Sequence, residues 1–302
     1  MRDRLRVGVV NFQAAWGDIP ENLARIRRIC QKAKEQGAEL VVFPETAVSG
    51  YSIFEQGAMQ KDAAEQIPGA CSQTLCQIAK ELDLYLAVGM PERDGMTGDI
   101  YNSLLAVSPA GVDAVYRKIH PFGHESLWCK KGQAPAVWQT PWGKIGLGIC
   151  YDTYQFPELI RYYASQGCRL YLNSTAQAGS QDTPEAAERF RQYYLSTIEA
   201  ASLSNEIFIA SSNLAGEEKG TQFGGASLVI GPVLREEGFG QDPYCRIYAG
   251  GLENQKIGVV TAEIDLSLAV RTIYQNNPIT GEPDYRPELY RNWQEKGNRI
   301  EG

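Results

Sequence analysis

An α/β fold built on mixed β-structure is what this sequence of 302 residues predicts. Short apolar runs rich in valine and isoleucine alternate with stretches whose apolar residues recur every three or four positions, so strands and helices interleave. Some neighbouring strands are joined only by a turn, whereas others are separated by a helix, which calls for both antiparallel and parallel pairing. No linker-like or low-complexity stretch divides the chain, so one domain is expected over residues 1–273, followed by an irregular tail over 274–302.

The elements follow in order. Residues 5–12 read as a buried strand. Asp18 and Pro20 open a helix with Leu23, Ile26, Cys30 and Ala33 on its apolar face and Gly37 as its stop. A second strand over 39–43 ends at Pro44, and Leu75, Ile78, Ala79 and Leu82 mark another amphipathic helix. Strands at 84–88, 101–107 and 112–116 come next, the last two joined by the turn Pro109-Ala110-Gly111. A strand ends at Cys150, a helix spans 157–166, and a short strand covers 170–173. Residues 184–204 carry one long helical pattern, followed by strands near 207–211, 226–230 and 257–264. Pro278, Pro283 and Pro287 punctuate the tail, which reads as irregular chain laid over another surface. Arg169 is expected at the surface.

Composition narrows the function. A net charge of −7, with no basic block to offset it, argues against nucleic acid or an anionic membrane as partner. The amino terminus lacks the pattern of a secretory signal, and no apolar run reaches the ~18 residues of a membrane span. The seven cysteines are scattered and form no CxxC pair, which reads as reduced thiols in a cytoplasmic protein without a structural zinc site. No cofactor is expected.

Three apolar strands end in a reactive side chain at a turn: Glu45 after Val41-Val42-Phe43-Pro44, Lys118 after Val115-Tyr116-Arg117, and Cys150 after Gly146-Leu147-Gly148-Ile149. Strand ends are where α/β folds gather their sites. Chemically the set is coherent. A thiol with an ordinary pKa near 8.5 needs a base or a cation to act at neutral pH. Glu45 can take the proton, Lys118 can hold the developing anion, and such a set suits attack on an electrophilic carbon that bears nitrogen.

These segments resemble the nitrilase, or carbon–nitrogen hydrolase, superfamily. The matching pieces are Phe43-Pro44-Glu45, Tyr116-Arg117-Lys118-Ile119-His120, and Gly148-Ile149-Cys150-Tyr151-Asp152 with Phe156-Pro157-Glu158. Further pieces are Gly89-Met90-Pro91-Glu92, Tyr101-Asn102-Ser103, Asn173, and Gly225-Ala226-Ser227 with Gly231-Pro232. The resemblance spans residues 5–270. It implies an αββα four-layer sandwich with two mixed sheets between helices, no cofactor, and a triad of Glu45 as base, Lys118 as oxyanion stabiliser and Cys150 as nucleophile. It further implies that Glu125 positions the substrate, that the Tyr151 N–H is the second oxyanion donor, and that the tail embraces a partner subunit in a homodimer or larger assembly.

Within the superfamily, Tyr151-Asp152 after the nucleophile favours the amidase branch over nitrilases, which usually show Trp-Glu there. The lack of charge at Tyr154, Gln155 and Phe156 favours an uncharged or aliphatic linear amide over a carbamoyl substrate. Tyr51 and Asn173 are candidates for the pocket lining, against roles in packing. Competing readings are a Cys–His pair drawing on His120 or His124, a metal held by these histidines and Glu125, an acyltransferase, and a binding protein on the same fold. Specificity is expected from the loops after Gly50 and at 94–99, 120–132 and 176–183.

Overall fold

The computed structural model describes residues 1–55, 57–180, 182–233 and 245–297. Gln56 and Gln181, inside two of the expected specificity loops, and residues 298–302 of the expected tail lie outside the described residues.

The first half begins with β1 (Arg4–Asn11) and α1 (Ile19–Glu35). The Asp18 side chain accepts from the Glu21 N–H at 3.1 Å, capping α1, and Gly37 leaves it at φ +80°. Next come β2 (Leu40–Val42), α2 (Ala58–Ala63) and α3 (Ala70–Leu82), and then the meander β3 (Tyr85–Arg93), β4 (Ile100–Ser108) and β5 (Gly111–Arg117). These strands form one sheet in the order β14-β1-β2-β3-β4-β5, where β14 is Gly258–Asp265. β1, β2 and β3 run parallel, and the two antiparallel reversals through β4 bring β5 back to their direction. The carboxyl ends of β2 and β5 therefore lie on one edge.

The second half repeats the plan. β6 (Val137–Thr140), β7 (Gly143–Ile149), α4 (Tyr151–Gln155), α5 (Pro157–Ser165) and β8 (Leu170–Thr175) precede α6 (Pro184–Phe190) and α7 (Ser196–Asn205). β9 (Phe208–Asn213), the hairpin β10 (Ala215–Glu218) and β11 (Thr221–Gly224), β12 (Leu228–Pro232) and β13 (Cys245–Gly250) complete it. The second sheet has the order β13-β12-β9-β8-β7-β6, with β7, β8 and β9 parallel.

The two sheets pack face to face, with α1 and α3 outside the first and α5 and α7 outside the second, giving the αββα sandwich. Alternation sorts the side chains. Leu40 and Val42 enter the inter-sheet core and Val41 the helix layer, as Leu104 and Ala106 do against Leu105 and Val107. Serines stitch the sheets together near the site. The Val10 N–H donates to Ser212 Oγ at 3.0 Å, Ser212 donates to Val42 O at 2.7 Å, and Ser174 Oγ donates to Phe43 O at 2.9 Å.

Three expectations change. The long helix over 184–204 is interrupted by a π turn at Arg191–Leu195, which separates α6 from α7. The tail is not wholly irregular: Pro287 opens the helix α8 (Pro287–Gly297), a role suited to a residue whose missing N–H would have no partner in a first turn. Arg169 is buried, its guanidinium donating to Trp142 O at 2.8 Å and pairing with Asp3, because β8 starts beneath the amino-terminal segment. No described helix is long and apolar enough to cross a membrane.

Candidate active site

Glu45 follows β2 in the turn Pro44-Glu45-Thr46, seated against Gly89 of β3. A Cβ at Gly89 would lie 2.5 Å from Thr46 N, 2.6 Å from Pro44 O and 2.8 Å from Glu45 Cα. Gly89→Ala is therefore expected to push the whole turn aside, lowering stability by about 1–3 kcal/mol and cutting turnover, as a thermal melt and an activity assay would read.

The Glu45 carboxylate is fully buried. Its Oε1 accepts from Lys118 Nζ at 2.6 Å and Asn102 Nδ2 at 2.7 Å, and Oε2 accepts from the Ala176 N–H at 3.0 Å. Burial pushes its pKa up to about 7, against the opposing pull of Lys118. That is the range of a base at neutral pH.

Lys118, at the end of β5, is likewise fully buried and also donates to Glu125 Oε1 at 2.8 Å. Burial alone would lower its pKa, but Glu125 and Glu45 outweigh that and hold it well above the usual lysine value, so it is a fixed cation. Glu125 lies in a 3₁₀ turn (Gly123–Leu127), and its Oε1 accepts a second hydrogen bond from Tyr51 OH at 2.7 Å. Glu125 Oε2 is buried with no partner among the described residues.

Cys150 occupies the sharp turn between β7 and α4, with φ 49° and ψ −104°. A non-glycine residue there is strained, in the manner of a nucleophile held at the tip of a strand–turn–helix elbow. The Cys150 N–H donates to Ser174 O at 3.1 Å and Asn173 Oδ1 at 3.2 Å, and Thr153 Oγ1 also donates to Asn173 Oδ1 at 2.7 Å. Asn173 in turn donates to Ser211 Oγ at 2.9 Å and Tyr154 OH at 3.2 Å. Its amide thus faces the back of the elbow. Burial, and then the Glu45 charge, push the thiol pKa well above its ordinary value, with Lys118 and a hydrogen bond from Thr175 partly offsetting them. The resting sulfur is a thiol, so its proton must leave as it attacks. The Tyr151 N–H belongs to the first turn of α4, where backbone donors have no intrahelical acceptor.

The structure brings Glu45, Lys118, Glu125, Cys150 and Tyr51 into one buried cluster. His124 is exposed, and His120 is tied to other partners. His120 stacks on Phe156, and its Nδ1 lies 2.8 Å from Asp152 Oδ1, which also accepts the His120 N–H at 2.9 Å. Asp152 Oδ2 accepts from Tyr116 OH at 2.7 Å. Asp152 therefore ties the Lys118 loop to the elbow helix. Sequence reasoning did not assign Asn102, Thr175 or the Ala176 N–H. The piece Tyr101-Asn102-Ser103, which sets two polar side chains side by side in β4, was the available signal for Asn102.

A family model described as carbon–nitrogen hydrolase matches residues 6–274. The omega-amidase NIT2 of Danio rerio is 32% identical over 284 residues, covering 89% of this chain and 91% of that protein. Among solved structures, Nit3 of Saccharomyces cerevisiae, a member of branch 10 of the nitrilase superfamily, superposes with a TM-score of 0.76 at 23% identity, over 94% of this chain and 98% of its own. An amidase from Nesterenkonia sp. superposes with a TM-score of 0.71 at 26% identity, over 97% and 98%. With sequence and fold in agreement over nearly its whole length, the chain belongs to the carbon–nitrogen hydrolase family and is an enzyme that acts on C–N bonds.

Proposed function

We propose that this enzyme hydrolyses a small linear amide through a thioester on Cys150. One observation carries the reading: a buried lysine pinned between two carboxylates, Glu45 at 2.6 Å and Glu125 at 2.8 Å, beside a cysteine elbow. Glu45 takes the thiol proton as sulfur attacks the carbonyl carbon. The oxyanion forms against Lys118 Nζ and the Tyr151 N–H. Glu45 then passes the proton to the leaving nitrogen, the C–N bond breaks, and ammonia or an amine departs. Water, deprotonated by Glu45, attacks the thioester, releasing the acid and returning the proton to sulfur.

Donor and acceptor counts support an amide over a nitrile. The ammonium has three N–H donors, and Glu45 and Glu125 use two, leaving one for a substrate oxygen. Glu125 Oε2 is an acceptor awaiting a donor, which an amide N–H supplies and a nitrile nitrogen cannot. The amidase and omega-amidase relatives point the same way.

The test is mass spectrometry of wild-type and Cys150→Ala protein after incubation with short aliphatic amides. Wild type is expected to carry a transient acyl adduct and release ammonia without an added amine acceptor, and the variant to do neither. Ammonia release only in the presence of an amine acceptor would make the enzyme an acyltransferase, and a wild type inert to every amide, nitrile and carbamoyl compound would leave a binding protein.

We also propose that the segment from residue 274 packs on a second copy in a homodimer or larger assembly. The aromatic series Tyr274, Tyr285, Tyr290 and Trp293, with Trp293 59% exposed, supports it. Light scattering is expected to give a multiple of the 33.4 kDa chain, and a stable monomer would refute the idea. The seven free cysteines support a cytoplasmic location.

A further inference from the structure

Glu218, at the end of β10, is only 4% exposed and sits outside the cluster around Cys150, yet it is wired to it. Its Oε1 accepts the Ala14 N–H at 2.9 Å, and its Oε2 accepts the Tyr51 N–H at 2.9 Å. No lysine or arginine is within ion-pairing distance among the described residues. Burial raises its pKa to about 7, so the fold keeps an expensive carboxylate where it serves only two backbone donors.

The segment it holds is shaped for that contact. Gly50, at φ +96°, has no Cβ, and one would lie 2.9 Å from Glu218 Oε2. The same hairpin grips the next residues. Thr221 Oγ1 accepts the Ile53 N–H at 3.0 Å and lies 3.1 Å from Ser52 Oγ, and Phe223 meets the Tyr51 ring edge-on at 6.3 Å between centroids. Backbone and ring of Tyr51 are thus fixed from one side, while its hydroxyl reaches Glu125 Oε1, the oxygen that also takes Lys118.

We propose that Glu218 is a positioning residue of the active site: it sets the backbone of Tyr51, and through the Tyr51 hydroxyl it aims Glu125 at the substrate. The proposal rests on the reading of Glu125 and Lys118 as substrate-facing groups. A carboxylate suits the task because both oxygens accept. A glutamine would turn an NH₂ toward one of the two N–H donors and lose that bond.

The test is a double-mutant cycle of Glu218→Gln with Tyr51→Phe on the full chain. Two readouts are taken: kcat and KM for propionamide, and the rate at which iodoacetamide alkylates Cys150, followed by peptide mass. Each single variant is expected to lower kcat/KM about ten-fold, and the double variant to be no worse than Tyr51→Phe, because both act through one hydroxyl. Alkylation is expected to slow by matching factors. Multiplying effects, or a Glu218→Gln protein that melts earlier but keeps kcat/KM within about two-fold of wild type, would reduce Glu218 to a structural residue. Alkylation needs no turnover. If wild type hydrolyses no amide while the alkylation cycle still converges, the amidase reading fails and the positioning role stands. Should Glu218→Gln not fold, Glu218→Asp, whose shorter arm keeps two acceptor oxygens but draws them away from the Ala14 and Tyr51 N–H groups, replaces it in the same cycle, with the same outcomes deciding.

Discussion

Replacing Lys118 by methionine is expected to abolish turnover and to destabilise the protein by about 3–5 kcal/mol, the usual result of removing one partner from a buried ionic group. Methionine fills nearly the same volume, so the loss is electrostatic. Glu45 and Glu125, both fully buried, would face each other with no cation between them. With the pull of Lys118 gone, the Glu45 pKa, already raised by burial, would rise further, so the variant's stability would be present at acid pH and lost as pH rises through the new value. Denaturant melts of wild type and variant between acid and neutral pH check this. A deficit that does not narrow toward acid pH would mean that the lysine acts through packing alone. Wild type should show a gentler trend of the same sign from Glu45, whose pKa is already pushed up to about 7.

Glu45→Gln is expected to lower kcat on the order of 10²–10⁴-fold; glutamine keeps an acceptor for Lys118 and Asn102 and loses only the bond from the Ala176 N–H, a cost of about 1–3 kcal/mol. The thiol is held in its protonated form by burial and the neighbouring charge, so without a base the attack stalls. The pH profile is the sharper measure. In wild type the base must be ionised, and kcat/KM should rise with pH through about 7 rather than near the ordinary glutamate value. That limb should vanish in Glu45→Gln. A limb that persists would assign the base to another group.

The convergence of Glu45, Lys118 and Cys150 was legible in the sequence because each ends an apolar strand, and strand ends in α/β folds share an edge. What made Lys118 meet Glu45 was two reversals through β4, which the turn at Pro109-Ala110-Gly111 announced in part. Strands short or polar enough to resemble loops, such as β10 and β11, could not be read, and Glu218 was hidden with them. Its neighbours Glu217 and Lys219 make it look like one of a solvated charged run. The interrupted helix at 191–195 was hidden for the opposite reason, because its apolar spacing continues across the π turn. Tyr51 and Asn173 stood out as candidates for the pocket lining; the Tyr51 hydroxyl meets Glu125, whereas the Asn173 amide lies behind the elbow. Their hydrogen bonds depend on long-range partners, Ser211 for one and Glu125 for the other, that no local pattern specifies.

The backbone at Cys150 sets two selections against each other. At φ 49° and ψ −104°, a glycine would be the more comfortable resident, by about 1–3 kcal/mol. A laboratory screen that rewards only thermal tolerance should therefore drift toward sequences that have discarded their own reagent. A screen for turnover must keep the discomfort and recover firmness elsewhere, for example in the serine stitches between the sheets.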